Sequence, residues 1–170
     1  LRVAVNKKII SISLRKRVKP KLNFNLKLAK IKREKPQFKN LKYKKILSRL
    51  SKMDNSQSDI ALVSNKKILE TGTSNLLFVK DKNFFTPKKD YYKGNTYKFF
   101  KTKIKRIIKK DILLKEIKNY DEILLLGSGK GVTSVRTIHG TKWKRKNLKN
   151  FKILSKHYDD IIKKCNTYKF

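Results

Sequence analysis

With 170 residues and a formal net charge of +35, the chain can bury one well-formed core, or one domain and part of another. Its single cysteine, Cys165, excludes an internal disulfide framework and a multi-cysteine metal site, and suits a reducing, cytoplasmic compartment. No apolar run approaches membrane-spanning length and no secretory leader is visible, so no membrane partner is expected. The lysines run from end to end among much Ile and Asn, with few Arg. A nucleic-acid binder more often clusters its charge and uses Arg for bidentate contacts. Uniform lysine instead reads as compositional drift, with a non-specific affinity for polyanions that salt weakens. No specific nucleic-acid partner is expected. The opening at Leu1, already strand-like, suggests a piece of a longer protein.

Residues 1–6 and 10–14 alternate apolar and polar positions around a hairpin turn, Asn6-Lys7-Lys8, and two strands cannot bury a face without more sheet. Residues 15–40, with Pro20, Pro36 and many lysines, read as a long connection carrying one extended piece at 25–31. The expected division is a remnant of a small N-terminal domain at 1–18, an interdomain linker at 19–40 and a main domain at 41–170. Leu41, Ile46, Leu47 and Leu50 are spaced for a helix starting near Leu41. Residues 59–63, 68–70, 76–79 and 84–86 are strands separated by the turns Asn65-Lys66-Lys67, Thr71-Gly72-Thr73-Ser74 and Asp81-Lys82-Asn83, and read as an antiparallel meander. Gly94-Asn95-Thr96 leads into a helix expected at 97–109, with Phe99, Phe100, Ile104, Ile107 and Ile108 on its apolar stripe. Strands follow at 112–117 and 122–126, the second apolar enough to be central. Then come a glycine-rich turn at 127–131, a strand at 132–138, a turn at His139-Gly140 and a helix near 147–164 with Phe151, Leu154, Tyr158, Ile161 and Ile162 inward. The whole reads as an α/β (α+β) fold with mixed strands.

Four places hold candidate chemistry. Lys42 stands at a helix start, and Glu70 ends a strand before a hydroxyl-rich turn, where an acid can project into a site. Asn95 and Thr96 open the next helix, and Ser128 and Gly129 lie in the glycine-rich turn. Helix starts and glycine-rich turns gather backbone N–H groups that suit a phosphate. No nucleotide P-loop is present: Leu124 stands where glycine is needed, and Gly131 follows Lys130 in place of Ser or Thr. Taken singly, these are a surface lysine, a surface acid and two ordinary turns; their company along the chain argues otherwise.

The run Glu70-Thr71-Gly72-Thr73-Ser74-Asn75-Leu76-Leu77-Phe78-Val79, followed by Phe85-Thr86-Pro87, resembles the signature of the class IV aminotransferase fold. These pyridoxal 5′-phosphate (PLP) enzymes include branched-chain aminotransferases, D-amino-acid aminotransferases and 4-amino-4-deoxychorismate lyases. Asn40-Leu41-Lys42-Tyr43, Lys93-Gly94-Asn95-Thr96-Tyr97 and residues 121–135 resemble three more family segments, in order and near the family's spacing. The resemblance implies a mixed-strand, C-terminal PLP-binding domain with only the last strands of the smaller N-terminal domain. It implies that Lys42 bonds the cofactor and moves the substrate's Cα proton, and that Glu70 sits against the pyridine nitrogen. Asn95, Thr96, Ser128 and Gly129 would hold the phosphate, and Asn75 would support the turn behind Glu70. The chain departs from the pattern at Lys45, where the family often has Asn, and at Asn95 and Tyr97, where it has Ile and Arg.

The glycine-rich turn from Leu126 to Val132 is closer to lyase-like members. It favours 4-amino-4-deoxychorismate lyase, which releases pyruvate to leave 4-aminobenzoate for folate synthesis. Val132-Thr133-Ser134-Val135-Arg136 is similar to the aminotransferase pattern and keeps a branched-chain or D-amino-acid aminotransferase as the alternative. Either takes a small-molecule amino substrate, and the resemblance implies a homodimer. A reading from another class is a basic nucleic-acid-binding module with Tyr91, Tyr92, Tyr97 and Trp143 stacking bases. A third is a shortened relative that folds without catalysing.

Overall fold

Short apolar runs punctuated by polar turns build two sheets in the computed structural model, which describes residues 2–14, 18–40 and 42–164. Leu1, Leu41 and Cys165, used in reading the sequence, lie outside the described residues. β1 (Arg2–Val5) and β2 (Ile10–Ser13) pair antiparallel as a sheet of their own, the hairpin expected. Asn6 closes it by accepting the N–H groups of Lys8 at 2.8 Å and Ile9 at 2.7 Å. Val3, Val5, Ile10 and Ile12 stay exposed.

The second sheet has nine strands in the order β8-β7-β6-β10-β11-β3-β4-β5-β9. Near its middle runs β10 (Glu122–Gly127), buried along its whole length as its leucines require, antiparallel to β11 (Gly131–His139). Beside β11 lies β3 (Phe24–Ala29), parallel both to it and to β4 (Ser58–Ser64). The segment expected as a connection therefore contributes a core strand, with Phe24 and Leu26 fully buried. Phe24, Leu26 and Leu28 alternate with Asn25 and Lys27, a period-two signal masked by flanking lysines.

β5 (Lys67–Thr71) returns from β4 through Asn65 and Lys66, at φ of 48° and 59°. Asp81 and Lys82, at 48° and 65°, do the same between β6 (Asn75–Lys80) and β7 (Asn83–Pro87). These strands do not form the continuous meander expected, because β10, β11, β3 and β4 stand between β6 and β5. The cause is partner choice: β6 is apolar on both faces and finds an equally apolar strand in β10, with Leu77 opposite Leu124 and Leu76 opposite Leu125. The Thr-Gly-Thr-Ser turn thus bridges two parts of one sheet.

α1 (Lys44–Leu50) buries Ile46 and Leu50 against Ile60 and Leu62 of β4. α2 (Asn95–Lys103) ends earlier than expected, and β8 (Ile107–Lys110) pairs parallel with β7. Its β-branched Ile107 and Ile108 complete the ladder beside Phe84 and Phe85. The strand expected at 112–117 is only β9 (Ile112–Leu113), followed by a 3-10 turn, Leu114–Asn119. α3 (Lys149–Lys164) lays Phe151, Leu154 and Tyr158 on the same face of the sheet as Tyr97 and Phe100 of α2. Fully buried Glu122 caps α3 from the neighbouring strand, accepting the N–H groups of Asn150 at 2.8 Å and Phe151 at 2.9 Å. No described helix is long and apolar enough to cross a membrane.

Candidate functional site

A cavity of about 340 Å³ opens where the end of β5, the turn at 72–74, the loop before α2 and the glycine-rich turn after β10 meet, with α1 along one side. Its size falls within the range of small-molecule pockets. Glu70, near the end of β5, is 3% exposed. Its Oε1 accepts Arg33 Nε at 2.8 Å, and Arg33 also donates through Nη2 to Gly72 O at 3.4 Å. The guanidinium lies 5.8 Å from the centre of the Tyr43 ring. Burial pushes the Glu70 carboxyl above the usual carboxylate range, opposed by the Arg33 charge and a hydrogen bond from the Tyr92 N–H. Arg33 was not singled out from the sequence. The available signal was an arginine in a lysine-rich stretch, the cation better suited to a buried, directional pair.

The hydroxyl-rich turn is anchored from behind. Asp59 of β4 is fully buried and accepts from Thr71 Oγ1 at 3.0 Å, Thr73 Oγ1 at 2.5 Å, the Ile60 N–H at 2.7 Å and Lys130 Nζ at 3.3 Å. Lys130, in the glycine-rich turn, sits 4.6 Å from the centre of the Phe24 ring. One carboxylate therefore ties the turn after Glu70 to the turn after β10. Glycine suits position 72, where a Cβ would stand 2.9 Å from Asp59 Oδ1 and 3.1 Å from the Ile60 and Leu50 side chains.

Asn75 reaches further than the turn behind Glu70. Its Nδ2 donates to Tyr92 O and its Oδ1 accepts the Gly94 N–H at 3.0 Å, fastening β6 to the loop that opens α2. α2 starts without a side-chain cap, so its first N–H groups lack intrahelical partners. Thr96 Oγ1 and Ser128 Oγ stand 3.4 Å apart, bringing hydroxyls from α2 and the glycine-rich turn together. At Gly129 a Cβ would meet nothing within 4 Å.

Glu70, Asn95, Thr96, Ser128 and Gly129, five of the six residues nominated from the sequence, line this cavity. Lys42 does not. It is exposed and lines a separate cleft with Ile31 and Lys32, whereas Lys39 lines the cavity and Tyr43 lines both. Asn40 sets this arrangement: its Nδ2 donates to Glu34 O at 3.0 Å and Lys35 O at 3.2 Å, and its Oδ1 accepts the Lys42 N–H at 2.8 Å. The base-stacking aromatics of the rival reading are mostly sequestered. Tyr91 and Tyr97 are buried with their hydroxyls 3.2 Å apart, and buried Trp143 donates to Tyr120 O at 2.8 Å.

The cavity presents a buried carboxylate in one part, and hydroxyls, free amides and open backbone in another. That donor set fits a flat ring with a protonated edge and an anionic tail.

The family profile described as Amino-transferase class IV matches residues 10–138. A branched-chain aminotransferase from the archaeon Thermoproteus uzoniensis, solved with norvaline, superposes with a TM-score of 0.73 at 16% identity, covering 90% of this chain and 56% of that one. A 4-amino-4-deoxychorismate lyase from Pseudomonas aeruginosa gives 0.66 at 16% identity, covering 86% and 56%. A branched-chain aminotransferase from Thermobaculum terrenum in its PLP form gives 0.68 at 16%, covering 82% and 51%. The chain spans about half the length of these solved structures. At such identities the likeness is one of fold. No curated protein matches the chain.

Proposed function

The chain belongs to the class IV aminotransferase family, and from that premise we propose that it holds pyridoxal 5′-phosphate in the cavity beside Glu70 and acts on a small amino substrate. The observation that carries this reading is the convergence of Glu70, Thr96 and Ser128, from three separate parts of the chain, on a single cavity. When bound, the cofactor would supply an electron sink for the charge left at the substrate's Cα. Glu70 would face the ring nitrogen and keep its proton in place, with Arg33 fixing the carboxylate through Oε1. The Thr96 and Ser128 hydroxyls, the N–H groups of Asn95 and Thr96 and the open backbone at Gly129 would take the phosphate. Leu47 and Leu50 line the wall along α1 and would keep water from the reacting atoms. In this reading Lys39 would hold the cofactor through its amine and would move the proton at Cα. It is favoured over Lys42 because it is among the residues bordering the cavity, whereas Lys42 borders a separate cleft.

Between the two reactions the proposal favours pyruvate release from 4-amino-4-deoxychorismate, on the lyase-like glycine-rich turn. A branched-chain or D-amino-acid aminotransferase is the alternative. A cytoplasmic homodimer is the proposed setting. Incubation with PLP, borohydride reduction and peptide mapping test the site without relying on turnover. A pyridoxyl group on Lys39 at near one per chain is the expected result, and one on Lys42 would restore the motif's assignment. Scattered labelling that Thr96→Val and Ser128→Ala leave unchanged would remove the cavity from consideration. Formation of 4-aminobenzoate against amino transfer to 2-oxoglutarate separates the two reactions.

A further inference from the structure

Lys130 is the one lysine buried among the described residues, and its pair with Asp59 is the most deeply buried ion pair among them. Its Nζ reaches Asp59 Oδ2 at 3.3 Å, an oxygen that also accepts from the Thr71 and Thr73 hydroxyls. Its backbone closes the glycine-rich turn, the N–H donating to Gly127 O at 3.1 Å and the C=O accepting from Thr133 Oγ1 at 3.3 Å. Ser128 and Gly129, the exposed corners of that turn, therefore hang from a residue held by backbone and side chain alike. At the start of the turn Gly127 abuts Ser74, with no room for a Cβ. Both ends of the glycine-rich turn are thus referenced to residues 71–74, which directly follow Glu70. Taking two charges out of water costs about as much as their attraction returns, so a buried pair is a weak source of stability. What this pair fixes is a distance, from the Glu70 carboxylate to the Ser128 hydroxyl.

We propose that Lys130 is a positioning residue: acting through Asp59, it sets the span between the acid and the anion grip, and so matches the cavity to a ring nitrogen and a phosphate carried on one molecule. Ser128 then stands opposite Thr96 before any ligand arrives, and the entropy of ordering the turn is lost on folding rather than on binding. The Phe24 ring, 4.6 Å from Nζ, gives the ammonium a second partner. The positioning role rests on the cofactor reading of the cavity; the tie between the two turns stands on its own contacts.

Two probes read this on the whole chain in about 0.3 M salt, where charges more than roughly 6 Å apart are screened. 4-Deoxypyridoxine 5′-phosphate lacks the aldehyde and binds without bonding a lysine; 4-deoxypyridoxine lacks the phosphate as well. By calorimetry the wild-type chain should prefer the phosphate ester about a hundredfold. Lys130→Met and Asp59→Asn should each cut that preference about tenfold, and the double variant no further, because all three break one link. The two single changes move the net charge in opposite directions, so diffuse charge alone would raise the preference in Asp59→Asn. Lys130→Arg keeps a cation for Asp59 and should retain the preference within about threefold. Ile138→Ala, a core change at the far end of β11, controls for lost stability and should leave the preference intact. An unchanged preference in Lys130→Met, an equal loss in Ile138→Ala or a gain in Asp59→Asn overturns the role. Amide exchange in the unliganded chain separates the two claims. Faster exchange across residues 72–74 and 127–131 in both single variants, with no preference for the ester in wild type, overturns the cofactor reading and the role built on it but keeps the tie. A wild-type preference that survives both changes, with exchange unmoved, overturns the tie.

Discussion

Glu70 and Arg33 form a pair that neither residue could make in open solvent, since the two side chains are only 4% and 13% exposed. Removing the cation leaves a buried acid that must either stay charged or take a proton. Arg33→Gln should therefore cost about 3 kcal/mol, the low end for a broken buried pair because the carboxyl borders a cavity. It should also raise the Glu70 carboxyl further, as carboxyl NMR would record. The pH dependence has a definite sign. The folded-state pKa of Glu70 lies above its unfolded value, so the folded chain holds the extra proton. This group's contribution to stability consequently falls as pH rises from the ordinary carboxylate value through the raised one. Glu70→Gln should abolish that slope in urea titrations taken at successive pH values; an unchanged slope would place the proton elsewhere. Glu70 was legible because its cue is local, a strand end before a turn. Arg33 lies 37 residues away, and no neighbouring residue marks it as facing inward; Lys39, exposed, sits among other lysines.

The glycine-rich turn offers a sharp comparison at the scale of one element. A Cβ at position 127 would lie 2.4 Å from Ser74 Oγ, while one at 129 would meet nothing within 4 Å. Gly127→Ala should lose about 1–3 kcal/mol through overpacking between the two turns. Gly129→Ala should stay within about 0.5 kcal/mol of wild type. Urea denaturation of both variants checks this, and equal effects would mean that the two turns do not pack as described. Strand existence was readable at β4, β6 and β10, where apolar runs are dense and bounded by turn residues. It failed around residues 104–117, because Ile104, Ile107 and Ile108 satisfy a helical stripe and a short strand equally well. Pairing with β7 settled the matter.

For the whole molecule, the separate β1–β2 hairpin and the charge are the features that stand apart from the main core. Two strands with exposed valines and isoleucines contribute little stability by themselves. Deleting residues 1–14 should leave the unfolding free energy within about 0.5 kcal/mol of the full chain. A larger loss would make the hairpin part of the main domain and cancel the proposed boundary near residue 18. The charge of +35 also sets a background of long-range repulsion that salt screens.

Local chemistry was enough to reveal the turns, most strands, the mixed α/β class and the family signature around Glu70, because backbone preferences and apolar periodicity act between near neighbours. Folding in three dimensions decided that β3 is a core strand, that β10 separates β6 from β5's side of the sheet, and that Lys39 rather than Lys42 borders the cavity. Those choices depend on which surfaces exclude water together across dozens of residues, and a lysine bordering a cavity has the same letter as one in solvent.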